Sequence, residues 1–143
     1  MMAYEKLLKQ GRIKNYDASE QEIQRLLEIA SRDLSTARSI VSIDPDWAYN
    51  ISYNAMLQSS RALMLRMGFR PRGSAQHATV VQFVNKTIGK EHKDLTALFD
   101  QMRRKRNRAV YETAKLVGEK ETIETLSLAH DFVTLLRDLI NQE

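Results

Sequence analysis

Apolar residues recur at intervals of three and four along most of this chain, which is the spacing of one face of an α-helix. Between residues 20 and 43 they form one stripe, and Ser19 followed by Glu22 matches the capping-box pattern of a helix start. The sequence Asp44-Pro45-Asp46 then predicts that this helix ends and another begins, with Asp46 as the N-cap. The stripe consists of Ile23, Leu26, Leu27, Ala30, Leu34, Ala37 and Val41.

The next segment, about residues 47–67, is apolar around most of its circumference. Its polar strip is narrow and consists of Asn50, Asn54 and Arg61. A helix with so little polar surface is expected to pack against neighbours on more than one side, so we predict a central helix here. One face carries only small residues, which allow close approach of another helix: Ala48, Ser52, Ala55, Ser59 and Ala62.

The rest of the chain predicts three further helices. Gly68–Gly73 forms a connection, and Ser74 is the expected N-cap of a helix that ends at Gly89. A longer helix spans about residues 91–116, and a last one follows Gly118. No alternation typical of a β-strand occurs. We therefore predict an all-α fold, an up-and-down bundle of four to five helices forming one domain over residues 19–143, with residues 1–18 as an N-terminal arm or short helix.

The fourth predicted helix contains a run of cations, Arg-Arg-Lys-Arg-Asn-Arg, at residues 103–108. At about 100° per residue, Arg106 falls within roughly 40° of Phe99 and Met102, in the middle of the apolar stripe. Burying an unpaired guanidinium costs several kcal/mol, so we expect Arg106 to have a partner, a cleft or an interface. A buried ion pair with Asp33 or Asp131 is the structural alternative.

Charge is distributed unevenly along the chain. Residues 66–115 contain twelve Lys or Arg and four Asp or Glu, a charge of +8 within a total of +4, which favours a polyanionic or acidic partner. His77 lies in the first turn of its predicted helix, where capping or packing is the more common role. The other cations of the run fit a solvated surface, salt bridges to acidic helices, or phosphate contacts equally well: Arg103, Arg104, Lys105 and Arg108.

Composition and motifs exclude several kinds of site. There is no cysteine, which rules out disulfides and thiolate metal sites. His77, His92 and His130 lie on different predicted helices, and no P-loop, dinucleotide-binding or G-x-S-x-G motif occurs, so we expect neither a metal nor a cofactor. No apolar run approaches the roughly 20 residues that span a bilayer, and no signal peptide opens the chain. We expect a cytoplasmic protein without membrane contact.

Three motifs, in order, connect the chain to a known family. Arg106-Asn107 followed by Tyr111 resembles the R-N-x-x-x-H/Y signature of HEPN domains. Tyr53-Asn54-Ala55 ahead of Arg61-Ala62-Leu63 is similar to the core helix of that family, and Gly73–His77 is similar to the segment that follows it. The resemblance covers about residues 20–140.

The resemblance implies a HEPN-like helical bundle that forms a homodimer, with the two arginine motifs facing each other across a cleft. Arg106 would hold the phosphate of a nucleotide or RNA, Asn107 would orient the phosphate or the backbone, and Tyr111 would form a hydrogen bond nearby. The resemblance also implies a partner nucleotidyltransferase in a toxin–antitoxin module. The implied nucleotide- or RNA-binding residues are Arg103, Arg104, Arg106, Arg108 and His77.

Tyr111 stands where metal-independent ribonucleases of the family carry a histidine. A phenol with a pKa of about 10 is a poor general base at neutral pH, so Arg106, Asn107 and Tyr111 are not expected to cleave RNA efficiently. Two alternatives therefore stay open. One is a ribonuclease toxin that uses Tyr111 or His77 in place of the usual histidine, and the other is a purely structural interaction module.

Overall fold

The computed structural model describes residues 4–111 and 118–142, and the side chains of all of these except 107–111. Helices dominate, so the predicted all-α class is confirmed. A 3-10 turn at Lys90–His92 joins α4 to α5. The elements in chain order are α1 Glu5–Lys9, β1 Ile13–Asn15, α2 Glu20–Ile40, α3 Pro45–Arg66, β2 Phe69–Pro71, α4 Gln76–Ile88, α5 Lys93–Tyr111 and α6 Glu119–Ile140.

The central position of α3 is confirmed, because α2, α4, α5 and α6 all pack against it. Its small-residue face (Ala48, Ser52, Ala55, Ser59 and Ala62) is completely buried. α4 and α5 also contact each other, as do α2 and α6. Because α4 and α5 are joined by a short turn, the start of α4 lies beside the late turns of α5, and both lie against α3.

The start of α3 differs from the predicted one. Asp44, rather than Asp46, is the N-cap, and its Oδ1 accepts a hydrogen bond from the backbone N–H of Trp47 at 3.1 Å. Pro45 takes the first helical position, where its fixed φ suits a helix and its missing N–H leaves no donor unsatisfied. The capping box of Ser19 and Glu22 at the start of α2 is confirmed.

The start of α4 also differs from the prediction. Ala75, rather than Ser74, precedes the first helical residue, with φ 56° and ψ 39° in the left-handed region and no side-chain cap. A left-handed alanine is uncommon, so the chain makes a sharp turn into α4 at this point. α2 ends at Ile40, somewhat before the predicted residue 43.

A two-stranded antiparallel sheet was not predicted. β1 pairs with β2 in the register Ile13 with Pro71, Lys14 with Arg70 and Asn15 with Phe69. Strands of three residues are too short to show an alternating pattern, which explains the omission. The pairing holds the N-terminal segment against the chain that connects α3 to α4.

The N-terminal segment packs on the same hydrophobic core as the bundle. The Tyr4 ring stacks on Phe83 with 4.2 Å between ring centres, and its hydroxyl lies 2.7 Å from Thr87 Oγ1. Leu7 and Ile13 are fully buried. Within the two described stretches, no helix is long and apolar enough to cross a membrane.

Candidate functional site

Arg106 lies half-buried where the apolar stripe of α5 meets α3. Its guanidinium carbon Cζ is 5.6 Å from the centre of the Tyr53 ring, within the roughly 6 Å range of a cation–π contact. Tyr53 is fully buried, and Phe99 packs on it with 5.6 Å between ring centres. The expectation that Arg106 has a partner is confirmed by this contact. The aromatic face opposite Arg106 favours a cation at this position of the apolar stripe.

The two carboxylates considered as alternative partners of Arg106 lie in other surroundings. Asp131 is exposed. Asp33 is buried, accepts a hydrogen bond from Asn54 Nδ2 at 2.7 Å, and pairs with Arg32 at 3.1 Å. Since Asn54 follows Tyr53 in α3, the Asp33–Asn54 bond ties α2 to α3 at the level of the Tyr53 ring.

The hydroxyl of Tyr53 connects the ring to His77 at the start of α4. Tyr53 Oη lies 2.9 Å from His77 Nδ1. Burial raises the pKa of Tyr53 to about 12, although the charges of Arg106, Arg103 and Arg61 oppose the shift, so the phenol stays protonated at neutral pH. A hydroxyl donates or accepts, so it serves either neutral tautomer of the imidazole and leaves Nε2 as a donor or an acceptor.

His77 lies in a strongly cationic environment. Burial lowers its pKa below the usual 6.5, and the nearby charges of Arg106, Arg61 and Arg103 lower that pKa further. The imidazole is therefore neutral at pH 7. Arg61 comes from α3, and Arg103 and Arg106 come from α5, so guanidinium groups of two helices act on this one imidazole.

Arg61 belongs to this cluster, although we did not single it out as a site residue from the sequence. Its Nε is buried and has no hydrogen-bond partner among the described residues. It also lines a cavity of about 270 Å³ together with Tyr16, Arg70 and Gln76. The available signal was its place in the polar strip of an otherwise apolar helix, and in the motif Arg61-Ala62-Leu63.

The other cations of the basic run have different surroundings. Arg103 and Arg104 both pair with Asp100, each with an N–O distance of 2.9 Å. Lys105 pairs with Glu121 of α6 at 2.9 Å, and its Nζ lies 5.9 Å from the centre of the Tyr49 ring. For Lys105 the salt-bridge interpretation is thus confirmed. Arg104 stays largely exposed, with 72% of its side-chain surface accessible, whereas Arg103 is 23% accessible.

Three predicted site residues cannot be placed relative to this cluster. Asn107, Arg108 and Tyr111 lie in α5, but their side chains are outside the described ones. The structure thus brings together His77, Arg103 and Arg106 of the predicted set, adds Tyr53 and Arg61, and leaves Arg104 at the margin.

The cluster can bind an anion without a metal. Guanidinium groups and an imidazole N–H bind phosphate by hydrogen bonds. Because charges are screened less where solvent exposure is low, each such contact is stronger at a partly buried site than on an open surface. Across the described residues, no group of three or more His, Asp or Glu could hold a metal ion.

Comparison with known proteins identifies the family. A search of curated proteins finds no match. The family model described as HEPN domain matches residues 23–139, which include all of α3, α4 and α5 and therefore every residue of the cluster. With a match over most of its length and the expected all-α fold, the chain belongs to the HEPN domain family.

Proposed function

We propose that this HEPN protein binds the phosphate of a nucleotide or RNA at the cluster formed by Arg106, Arg103, Arg61 and His77. The observation that supports the proposal best is geometric: Arg106 lies over the ring of Tyr53, whose hydroxyl is 2.9 Å from His77 Nδ1, so a guanidinium and an imidazole share one partly buried point. The charges of Arg61 and Arg103 also act on that imidazole. A phosphate placed there would be attracted by all three charges. Asn107, Arg108 and Tyr111, whose side chains lie outside the described ones, belong to the proposed site only through the family resemblance.

Binding of phosphate would change the protonation of His77. The guanidinium charges that disfavour imidazolium would be offset by the anion, so the pKa of His77 would rise on binding. Proton uptake and phosphate binding then favour each other, and the affinity for phosphate should increase as pH falls toward the pKa of His77. Tyr53 would keep the ring oriented throughout.

Metal-independent RNA cleavage is the second candidate function, and the state of His77 favours it. A neutral imidazole at pH 7 is able to accept a proton from a ribose hydroxyl, a task for which the Tyr111 phenol is poorly suited. In that mechanism Arg106 and Arg103 would hold the scissile phosphate and stabilise its added charge. His77 would be the general base, with the Tyr53 hydroxyl accepting from Nδ1–H. The deprotonated ribose oxygen would bond to phosphorus as the bond from phosphorus to the next ribose oxygen breaks, and that leaving oxygen would take a proton from water.

We further propose that the protein acts as a homodimer and pairs with a nucleotidyltransferase in a toxin–antitoxin module. Exposed apolar side chains near the starts of α3 and α6 support an interaction surface: Ile43 is 80% accessible, Trp47 56% and Ile123 48%. These segments adjoin each other, since Thr122 Oγ1 lies 3.4 Å from the Pro45 carbonyl oxygen. Sedimentation of the wild type and of Trp47→Glu tests whether this surface carries the dimer.

The main test measures binding and cleavage of RNA by the same set of variants. Arg106→Ala should weaken the binding of nucleotide and RNA, and the loss should shrink at high salt. The matched control is Arg25→Ala, which removes the same charge from an exposed position on α2, outside the cluster and the basic run. Equal effects of the two substitutions would contradict a specific phosphate site at Arg106.

Cleavage is assayed in the presence of a metal chelator. The ribonuclease mechanism requires that His77→Ala abolish cleavage while binding is largely kept. RNA that stays intact at high concentrations of wild-type protein would exclude this mechanism and leave the binding function. Absence of any binding would leave an interaction module.

A further inference from the structure

A groove of about 560 Å³ lies between α4 and α5. Its α4 wall runs from Ala78 to Gly89, and its α5 wall runs from Lys93 to Arg104. At about 1.5 Å per residue, the α4 wall is roughly 16 Å long, enough for several nucleotides of an extended strand. The groove is therefore larger and more elongated than a pocket for one phosphate.

The charged residues that line the groove are mostly cationic. Lys90 and Lys93 lie at the end formed by the 3-10 turn, and Arg103 and Arg104 lie at the other end. Asp100 is the one carboxylate among the described lining residues, and it pairs with the two arginines. The lining thus has a surplus of three positive charges.

The two lysines are available to a ligand. Both are exposed, and neither forms an ion pair with another described residue. A lysine on an exposed turn gains little from a surface carboxylate but binds a phosphate as a mobile point charge. The lysine end of the groove therefore suits a polyanion that passes along it.

The other end of the groove reaches the phosphate site proposed above. Ala78 directly follows His77 in α4. Arg103 lines the groove, and its charge also lowers the pKa of His77. One guanidinium is therefore shared between the two sites, which makes the groove a continuation of the cluster at Arg106.

We infer that this groove holds the backbone of a single-stranded RNA whose phosphate at one position occupies the cluster at Arg106 and His77. The inference rests on the proposed function and narrows its ligand to a polynucleotide rather than a free nucleotide. None of the described residues that line the groove is aromatic, so base stacking contributes little there. Recognition along the groove is through phosphates, and its sequence preference is weak.

The experiment compares an oligoribonucleotide with a nucleoside monophosphate as ligands of the full chain. The double variant Lys90→Ala/Lys93→Ala should bind the oligonucleotide with a weaker salt dependence. The steepness of log affinity against log salt should decrease by about 1.4, since each phosphate contact on a single strand contributes roughly 0.7. Binding of the monophosphate should stay unchanged. The control variant Lys14→Ala/Lys120→Ala removes the same total charge by replacing two exposed lysines outside the groove. Its affinity for the oligonucleotide and for the monophosphate should equal that of the wild type.

A second variant tests the groove without changing charge. Ala97 is exposed and lines the groove, so Ala97→Trp should obstruct it while the bundle stays folded. We expect weaker oligonucleotide binding and unchanged monophosphate binding.

The possible outcomes separate the inference from the proposed function. Unchanged oligonucleotide binding in both groove variants would overturn the inference while leaving the phosphate site at Arg106 intact. Displacement of the oligonucleotide by an acidic peptide of equal charge, at equal concentration, would also overturn it. Failure of the wild type to bind either ligand would remove the proposed function and the inference together.

Discussion

Replacing Tyr53 by phenylalanine isolates the contact between α3 and α4 in the proposed site. The substitution removes the hydroxyl that lies 2.9 Å from His77 Nδ1 and keeps the ring beneath Arg106. A hydrogen bond of this kind contributes about 0.5–1.5 kcal/mol net. Because His77 is only half-buried, water is able to replace the lost partner, so we expect Tyr53→Phe to lower the free energy of unfolding by about 0.5–1 kcal/mol.

Urea denaturation measures this loss, and a double-mutant cycle with His77→Ala assigns it. The coupling free energy between Tyr53 and His77 should match most of the loss in the single variant. Tyr49→Phe is the matched control, because Tyr49 is also buried in α3 beneath a cation, but its hydroxyl bonds to none of the described side chains. Equal destabilisation by the two substitutions, together with zero coupling, would refute the contribution assigned to the Tyr53–His77 bond.

Three further predictions concern His77, Phe99 and the ion pair of Glu20 with Arg66. In an NMR titration, the pKa of His77 should lie below 6.5 and should rise in Arg106→Ala. The free energy of unfolding should decrease as pH falls below the unfolded pKa near 6.5, because the unfolded chain binds the proton more readily than the folded one. His77→Gln should remove this part of the pH dependence. Phe99→Ala should lower the free energy of unfolding by about 3–5 kcal/mol in a denaturant titration, since the ring is fully buried between Tyr53 and α6. Glu20→Gln should destabilise the fold at neutral pH, because the Arg66 guanidinium lowers the pKa of Glu20 to about 2 and so stabilises the folded state. This stabilisation is lost as pH falls from about 4.5 to 2, so the substitution should have no effect under acid conditions. Thermal unfolding at several pH values tests this.

Helical periodicity was sufficient to single out Arg106, the residue at the centre of the proposed site. Counting 100° per residue placed Arg106 on the apolar stripe of its helix, and the contact with Tyr53 accounts for that position. The identity of the partner was not accessible in the same way. It depends on which turn of α3 lies opposite Arg106 in α5. The periodicity of one helix shows which of its faces is buried, but it does not show which residues of the neighbouring helix pack against that face.

Residues that act through tertiary packing were the least predictable. His77 was correctly placed in the first turn of α4, but its environment arises from arginines on α3 and α5. The β1–β2 pairing and the left-handed Ala75 were missed for a different reason. Three-residue strands and single turn residues leave no periodic signal, although they fix where α4 begins and hence where His77 lies.

Two carboxylates among the described residues near the cluster already have partners. Asp100 lies closest in sequence, and it already pairs with both Arg103 and Arg104. Asp33 is occupied by Asn54 and Arg32 on the α2 side of α3. These two described carboxylates are thus engaged by other groups, and the charges of Arg106, Arg61 and Arg103 add to burial in lowering the pKa of His77.

This arrangement makes the protonation of His77 the observable that separates binding from cleavage. A phosphate-binding site predicts affinity that rises as pH falls, because bound phosphate stabilises the imidazolium. General-base cleavage predicts the opposite dependence, since the rate requires the neutral ring and falls as His77 becomes protonated. Measuring RNA affinity and RNA cleavage over the same pH range therefore tests both functions against one titration. In the ligand-free protein, Arg106→Ala should raise the pKa of His77, because it removes one of the charges that hold this pKa low, and this titration identifies the group that both profiles should follow.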